Sequence, residues 1–139
     1  MKKKVVVFSQ LDQDILQRLQ AQYQVEVINP KLGDVNQQIR EQVKDADAMI
    51  GAGRLLNESN LATAQQLKII SSVSVGYDNY DLAYLNQKKI WLSNTPHVLT
   101  ETTADLAFTL LMSAARKVPY LDQWTKQGQW KRTAAEAQF

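Results

Sequence analysis

The sequence predicts an α/β domain: a five-stranded parallel sheet with helices on both faces. Three observations carry this. Short β-branched runs alternate with amphipathic stretches at intervals of about 20 residues, the rhythm of repeated β-then-α units. The first run, Val5-Val6-Val7-Phe8, is continuously apolar, as in a strand covered on both faces. The chain has 139 residues, 45% of them hydrophobic and 22% charged, which suits one globular domain with a sound core.

Each element follows from local chemistry. Asp12 can cap a helix in which Ile15, Leu16, Leu19 and Tyr23 recur at helical spacing. Gln24 to Ile28 alternates like a second strand, suited to an edge. Asn29-Pro30 and Gly33 punctuate the chain, and Asp34 opens a helix carrying Val35, Ile39 and Val43. Ala48 to Gly51 is a third strand, Glu58 to Gln66 a short helix, and Leu67 to Val73 a fourth strand. Asp81 to Lys88 is another helix, and Ile90 to Ser93 a fifth strand. Right-handed crossovers and five strands give the order 2-1-3-4-5, the flavodoxin-like arrangement.

The cycle then stops. From Thr100, read as an N-cap, "TETTADLAFTLLMSAARKV" is a long and unusually apolar helix, with Glu101 and Asp105 near its positive end. Pro119 should kink or restart it, and Gly128 should stop it. The expected organisation is a domain over 1–99, a long kinked helix over 100–128 leading towards another domain, and a frayed tail over 129–139. The surplus apolar surface and the uncapped tail suggest a chain cut before its next domain.

Composition excludes several functions. The formal charge is +2, and the only basic run is Lys2-Lys3-Lys4, a solvated strand end, so nucleic acid is not an expected partner. There is no cysteine and one histidine, which argues against disulfides, thiolate chemistry and a metal site. No apolar run has the length of a membrane span, and no signal peptide precedes the first strand; the expected location is cytoplasmic, with no membrane partner.

Ligands of open α/β sheets bind beyond the carboxyl ends of the strands. That rule selects Ser9-Gln10-Leu11, Gly51-Ala52-Gly53-Arg54, Ser74-Val75-Gly76-Tyr77 and Asn94-Thr95-Pro96-His97. Gly51-Ala52-Gly53 begins like a dinucleotide fingerprint but has Leu56 where the third glycine belongs, so a tight turn is the plainer reading. Arg54 stands where it could meet an anion, or it is a solvated loop residue. His97 has no carboxylate close in sequence to orient it except Glu101 across a helix start, which disfavours a role as general base. There is no nucleophile elbow, and no acidic residue follows the first strand as a phosphoacceptor domain requires. Gly76 is the better candidate. Lacking a β-carbon, it lets a ligand approach the backbone, and adjacent amides can form an anion nest suited to a small carboxylate. A purely structural turn is the alternative.

The segments V-G-Y-D-N-Y-D, N-T-P, V-L-T-E-T-T-A-D, A-A-R-K and G-Q-W-K, in this order between Leu67 and Arg132, resemble the substrate domain of D-isomer-specific 2-hydroxyacid dehydrogenases. The similarity is greatest to the glyoxylate/hydroxypyruvate and 2-ketogluconate reductase branch. The resemblance implies that Val75 and Gly76 offer amides to a substrate carboxylate and that the Gly53-Arg54 loop lines the same cleft. It also implies that Thr95 and Thr103 approach the nicotinamide side of NAD or NADP, and that the long helix crosses to a cofactor domain. The fingerprint and the family's catalytic arginine, glutamate and histidine are absent from residues 1–139, and His97 does not match that histidine. The expectation is therefore half a cleft for a small 2-keto acid, with no cofactor bound and no turnover by this chain alone. A homodimer or other self-association is expected through the 100–127 helix, around Phe108, Leu111, Val118 and Trp124. The rival expectation is a non-enzymatic module that uses this helix as a partner surface.

Overall fold

The computed structural model describes residues 2–130. These form two units, divided after His97. The first unit contains β1 (Lys4–Val7), α1 (Gln13–Gln22), β2 (Gln24–Val27), α2 (Val35–Gln42), β3 (Ala48–Gly51), α3 (Glu58–Leu61), β4 (Ile69–Ser72), α4 (Leu82–Lys88) and β5 (Trp91–Ser93). All strand pairs are parallel and the order is β2-β1-β3-β4-β5, the flavodoxin-like sheet the alternation predicts.

The register explains the core. Val6, Met49, Ile70 and Leu92 align across the central strands and beneath one face. They pack with Ile39 and Val43 of the α2 region, Leu61 of α3, and Tyr84 and Leu85 of α4. The alternate residues form the other face, where Leu19 of α1 and Tyr23, its C-cap, border a groove over Val5, Ala48, Ile50 and Ile69. Exposure on this second face rises towards β5: Val5 is 5% exposed, Ile69 37% and Trp91 77%. Among the described residues of this unit α1 is the one helix on that face, so coverage is less even than the alternating pattern suggests.

Short polar side chains set the helix ends. Asp34 accepts from the backbone N–H groups of Asn36 and Gln37, and Asp81 from that of Tyr84, as a capping carboxylate should. Asp12 caps α1 through its backbone alone. Asn57 and Asn60 form a reciprocal cap at α3. The start of β1 is tied by Lys3 to Asp47 and by Lys4 to Asp45, and these lysines hold both carboxyls below the usual carboxylate range.

α3 differs from expectation. Periodicity predicts a helix to Gln66, but it ends at Leu61. The Thr63 hydroxyl donates to the Arg40 carbonyl at 2.7 Å and the Gln65 N–H to the Lys44 carbonyl at 3.2 Å. Those bonds to the preceding crossover replace another helical turn.

The second unit contains α5 (Thr100–Ala115) and α6 (Val118–Lys126). Leu99, not Thr100, occupies the N-cap; Thr100 is already helical, and the Thr102 hydroxyl donates to the Leu99 carbonyl. The expected restart occurs at Lys117, which is left-handed at φ 51°, with Pro119 in the first turn of α6. Gly128, at φ 68°, closes α6 as a Schellman motif: its N–H donates to Thr125 and that of Gln129 to Trp124. Of the expected frayed tail, residues 131–139 lie outside the described residues.

Candidate functional site

Gly51 and Ser72 are register partners at the carboxyl ends of β3 and β4, so the loops that follow start side by side. They meet again at a parallel bridge: the Leu56 N–H donates to the Asn79 carbonyl at 2.8 Å, and the Asp81 N–H to that of Leu56 at 3.0 Å. Both segments singled out from sequence, Gly53-Arg54 and Val75-Gly76, lie in loops fastened at both ends to one another.

The first loop is shaped by two glycines. A β-carbon on Gly51 would sit 2.8 Å from the Phe8 ring, and Gly53 adopts φ 71°, which glycine takes without strain. The Ser9 hydroxyl accepts from the Ala52 N–H at 3.0 Å, joining the ends of β1 and β3. Beside them opens a cleft of about 540 Å³, lined by Ser9, Gln10, Asn29, Gly53 and Arg54 among others. Arg54 is half-buried in its wall and faces no carboxylate in any ion pair among the described residues. Val75 and Gly76 do not line this cleft.

The second loop is organised through its carbonyls. The Ser74 carbonyl accepts from the Thr95 N–H at 3.0 Å. The Val75 carbonyl accepts from Asn94 Nδ2 at 2.9 Å, and the Gly76 carbonyl from Ser74 Oγ at 2.7 Å. Ser74 Oγ in turn lies 2.6 Å from the hydroxyl of buried Ser72. The N–H groups of Val75, Gly76 and Tyr77 donate to no described residue. Three consecutive peptides therefore have an engaged oxygen and a free N–H, an arrangement able to receive an anionic oxygen.

This is not a nest in the usual sense. A nest alternates hands, and no residue between 73 and 79 has positive φ. Nor does packing require glycine at 76, where a β-carbon would meet only Asp78 Oδ2 at an ordinary 3.5 Å. The space left by the missing side chain lies outside the protein's own packing.

A larger hollow of about 730 Å³ lies at the β5–α4 edge, lined by Leu82, Leu85, Ile90, Trp91 and Leu92 with Tyr77, Asn86, Lys89 and Asn94. Tyr77 and Asn94 make it adjoin the Val75–Gly76 loop, and Lys89 is the one charged side chain among the described residues of its wall. The row of free N–H groups lies on the strand-end loop itself, which is therefore the candidate anion site.

Thr95 follows β5 in the first unit, with its N–H committed to Ser74. Thr103 lies in the first turn of α5 in the second unit, its N–H donating to Leu99 at 2.9 Å. His97 is exposed at φ 66° with no hydrogen bond to a described carboxylate. The residues present do not fit a dinucleotide: the helix after Gly53 starts only at Glu58, spans four residues, and carries a carboxylate in its first turn. A pyrophosphate needs free amides and positive charge at that point. Sequence reading missed Asn94 and Ser74 as loop-holding side chains; the available signal was their short polar character directly after strands.

The chain matches the family described as D-isomer specific 2-hydroxyacid dehydrogenase, catalytic domain, over residues 5–137. It belongs to that family. It is 37% identical over 129 residues to a probable 2-ketogluconate reductase of Dictyostelium discoideum, covering 92% of this chain and 39% of that protein. It is 34% identical over 139 residues to glyoxylate/hydroxypyruvate reductase B of Yersinia enterocolitica, covering 100% of this chain and 43% of the relative. Among solved structures, the PH0520 protein of Pyrococcus horikoshii superposes with a TM-score of 0.80 at 26% identity, covering 98% of this chain and 40% of that one. An NADPH-dependent glyoxylate/hydroxypyruvate reductase of Sinorhizobium meliloti, in complex with NADP and malonate, gives 0.70 at 28% identity, covering 94% and 40%. The chain thus spans about two fifths of the relatives it matches.

Proposed function

We propose that this chain is the substrate-binding part of an NAD(P)-dependent oxidoreductase that reduces a small 2-keto acid to the D-2-hydroxy acid. Glyoxylate, hydroxypyruvate and 2-ketogluconate are the candidate substrates, since the relatives are named for reductases of these acids. The observation that carries the reading is the row of free N–H groups at Val75, Gly76 and Tyr77 beyond the end of β4. Held in place before binding, such donors stabilise a carboxylate without reorganisation. Gly53 and Arg54, on the loop fastened beside it, are proposed to line the substrate's path, with the guanidinium available to an anion.

Thr95 and Thr103 are proposed to face the nicotinamide of NAD or NADP in the complete enzyme. Cofactor binding itself is assigned to sequence outside residues 1–139, because neither the fingerprint nor a suitable helix start is present in them. With the hydride donor and the acid/base pair supplied elsewhere, this chain alone is inactive and binds no NADH. The cytoplasm is the proposed location. The kinship with reductases gives no support to the rival interaction module. The exposed apolar side chains of α5 and α6 are proposed instead to mediate self-association of the isolated chain.

NMR titration of the 139-residue chain tests the substrate reading. Glyoxylate and hydroxypyruvate should each shift the Val75, Gly76 and Tyr77 amides, and NADH should shift none. Absence of any shift with either acid would remove the carboxylate site. Keto-acid reduction by the pure chain would overturn its assignment as an inactive part.

A further inference from the structure

We propose that Asn94 is a positioning residue: it fixes the Val75–Gly76 peptide so that the Gly76 N–H faces the incoming carboxylate. The proposal rests on the carboxylate reading above and deepens it. In a trans peptide the C=O and N–H vectors point in opposite directions. No described peptide bond is cis, and Asn94 Nδ2 donates to the Val75 carbonyl at 2.9 Å. That bond turns the oxygen towards the β5 loop and the Gly76 N–H away from it. Thr95 N–H and Ser74 Oγ act alike on the preceding and following peptides, orienting the Val75 and Tyr77 donors.

The three anchors are not equivalent. The Thr95 anchor is a backbone N–H, and every residue but proline supplies one. Ser74 acts from within the loop itself, its hydroxyl paired with that of buried Ser72. Among the described residues, Asn94 is the one side chain that hydrogen-bonds the Val75–Gly76 peptide from outside the loop, 19 residues away in sequence. This peptide has the greatest need of an anchor, because it precedes a glycine. Rotation about the Val75 ψ and Gly76 φ bonds reverses a peptide plane at little cost when the second residue lacks a β-carbon. Reversal would present a carbonyl oxygen, which repels a carboxylate. The glycine that admits the ligand thereby also loosens the peptide that binds it, and Asn94 offsets that freedom.

The test compares the wild-type chain with Asn94→Leu, similar in shape without a donor, and Asn94→Gln, which keeps the donor on a longer arm. In NMR titrations with glyoxylate, Asn94→Leu should weaken binding about tenfold, the scale of one lost hydrogen bond. Its amide spectrum should change only around residues 73–77 and 93–96, and Asn94→Gln should recover part of the affinity. An independent readout uses wild type alone: a scalar coupling across the hydrogen bond from Asn94 Nδ2 to the Val75 carbonyl carbon should be present without ligand. Absence of that coupling overturns the proposal even if the variants fail to fold. Equal affinity of wild type and Asn94→Leu overturns the positioning role and leaves the carboxylate site standing. No glyoxylate binding by wild type overturns both.

Discussion

Glycines 51, 53 and 76 occupy neighbouring loops for three different reasons. Gly51 is required by packing, since a β-carbon would collide with the Phe8 ring at 2.8 Å. Gly53 is required by conformation, at φ 71°. Gly76 is required by neither, which leaves access for a ligand as its explanation. Gly51→Ala should therefore destabilise the chain by about 1–3 kcal/mol, the usual cost of overpacking a core. Gly76→Ala should change stability by no more than about 0.5 kcal/mol while weakening the glyoxylate-induced shifts. Urea unfolding and the same NMR titration check both. A large stability loss at Gly76 would return that residue to a structural role. From sequence, Gly76 was legible as a candidate through its place after a buried strand. The packing constraint on Gly51 was not, because Phe8 directly follows β1, more than forty residues earlier, and the positive φ of Gly53 is set only once its loop is fastened in the fold.

Among the elements, α3 matters beyond its four residues because it holds the end of the Gly53-Arg54 loop. Asn60 is only 4% exposed; its Oδ1 accepts from the Asn57 N–H at 3.1 Å, and its Nδ2 donates to the Leu55 carbonyl at 2.7 Å. Asn60→Ala strips partners from two backbone groups near the loop and should cost about 1–3 kcal/mol in chemical denaturation. A change below about 0.5 kcal/mol would show that water replaces the side chain there. Helix starts at Asp34 and Asp81 were legible because a capping side chain acts within three residues. The early stop of α3 was not, since Thr63 and Gln65 bond to the preceding crossover rather than along their own helix. At the other junction, Pro119 announced a restart, but the left-handed break fell on Lys117.

The molecule as a whole combines an α/β unit with a second, helical unit whose apolar residues are largely in water. Phe108 is 65% exposed, Leu111 63% and Val118 49%. Trp124 differs: it is half-buried and stacks edge-on with Trp130 at 5.7 Å. Exposed apolar area of this kind drives association. Sedimentation velocity should accordingly show dimers or larger species that dissociate on dilution, and Phe108→Glu with Leu111→Glu should yield monomers. A wild-type chain monomeric at high concentration would refute the proposed self-association.

The sequence by itself determined the alternation of elements, the five-stranded order and the family, because periodicity, crossover handedness and ordered motifs are local or nearly so. It also pointed to the strand ends where the candidate site lies. Only the tertiary structure decided how that site is built. Asn94 meets the Val75 carbonyl, Thr95 meets that of Ser74, and Leu56 bridges to Tyr80, all between segments about twenty residues apart. Hydrogen bonds between loops depend on which strands are neighbours and in what register, and that information exists once the sheet has formed.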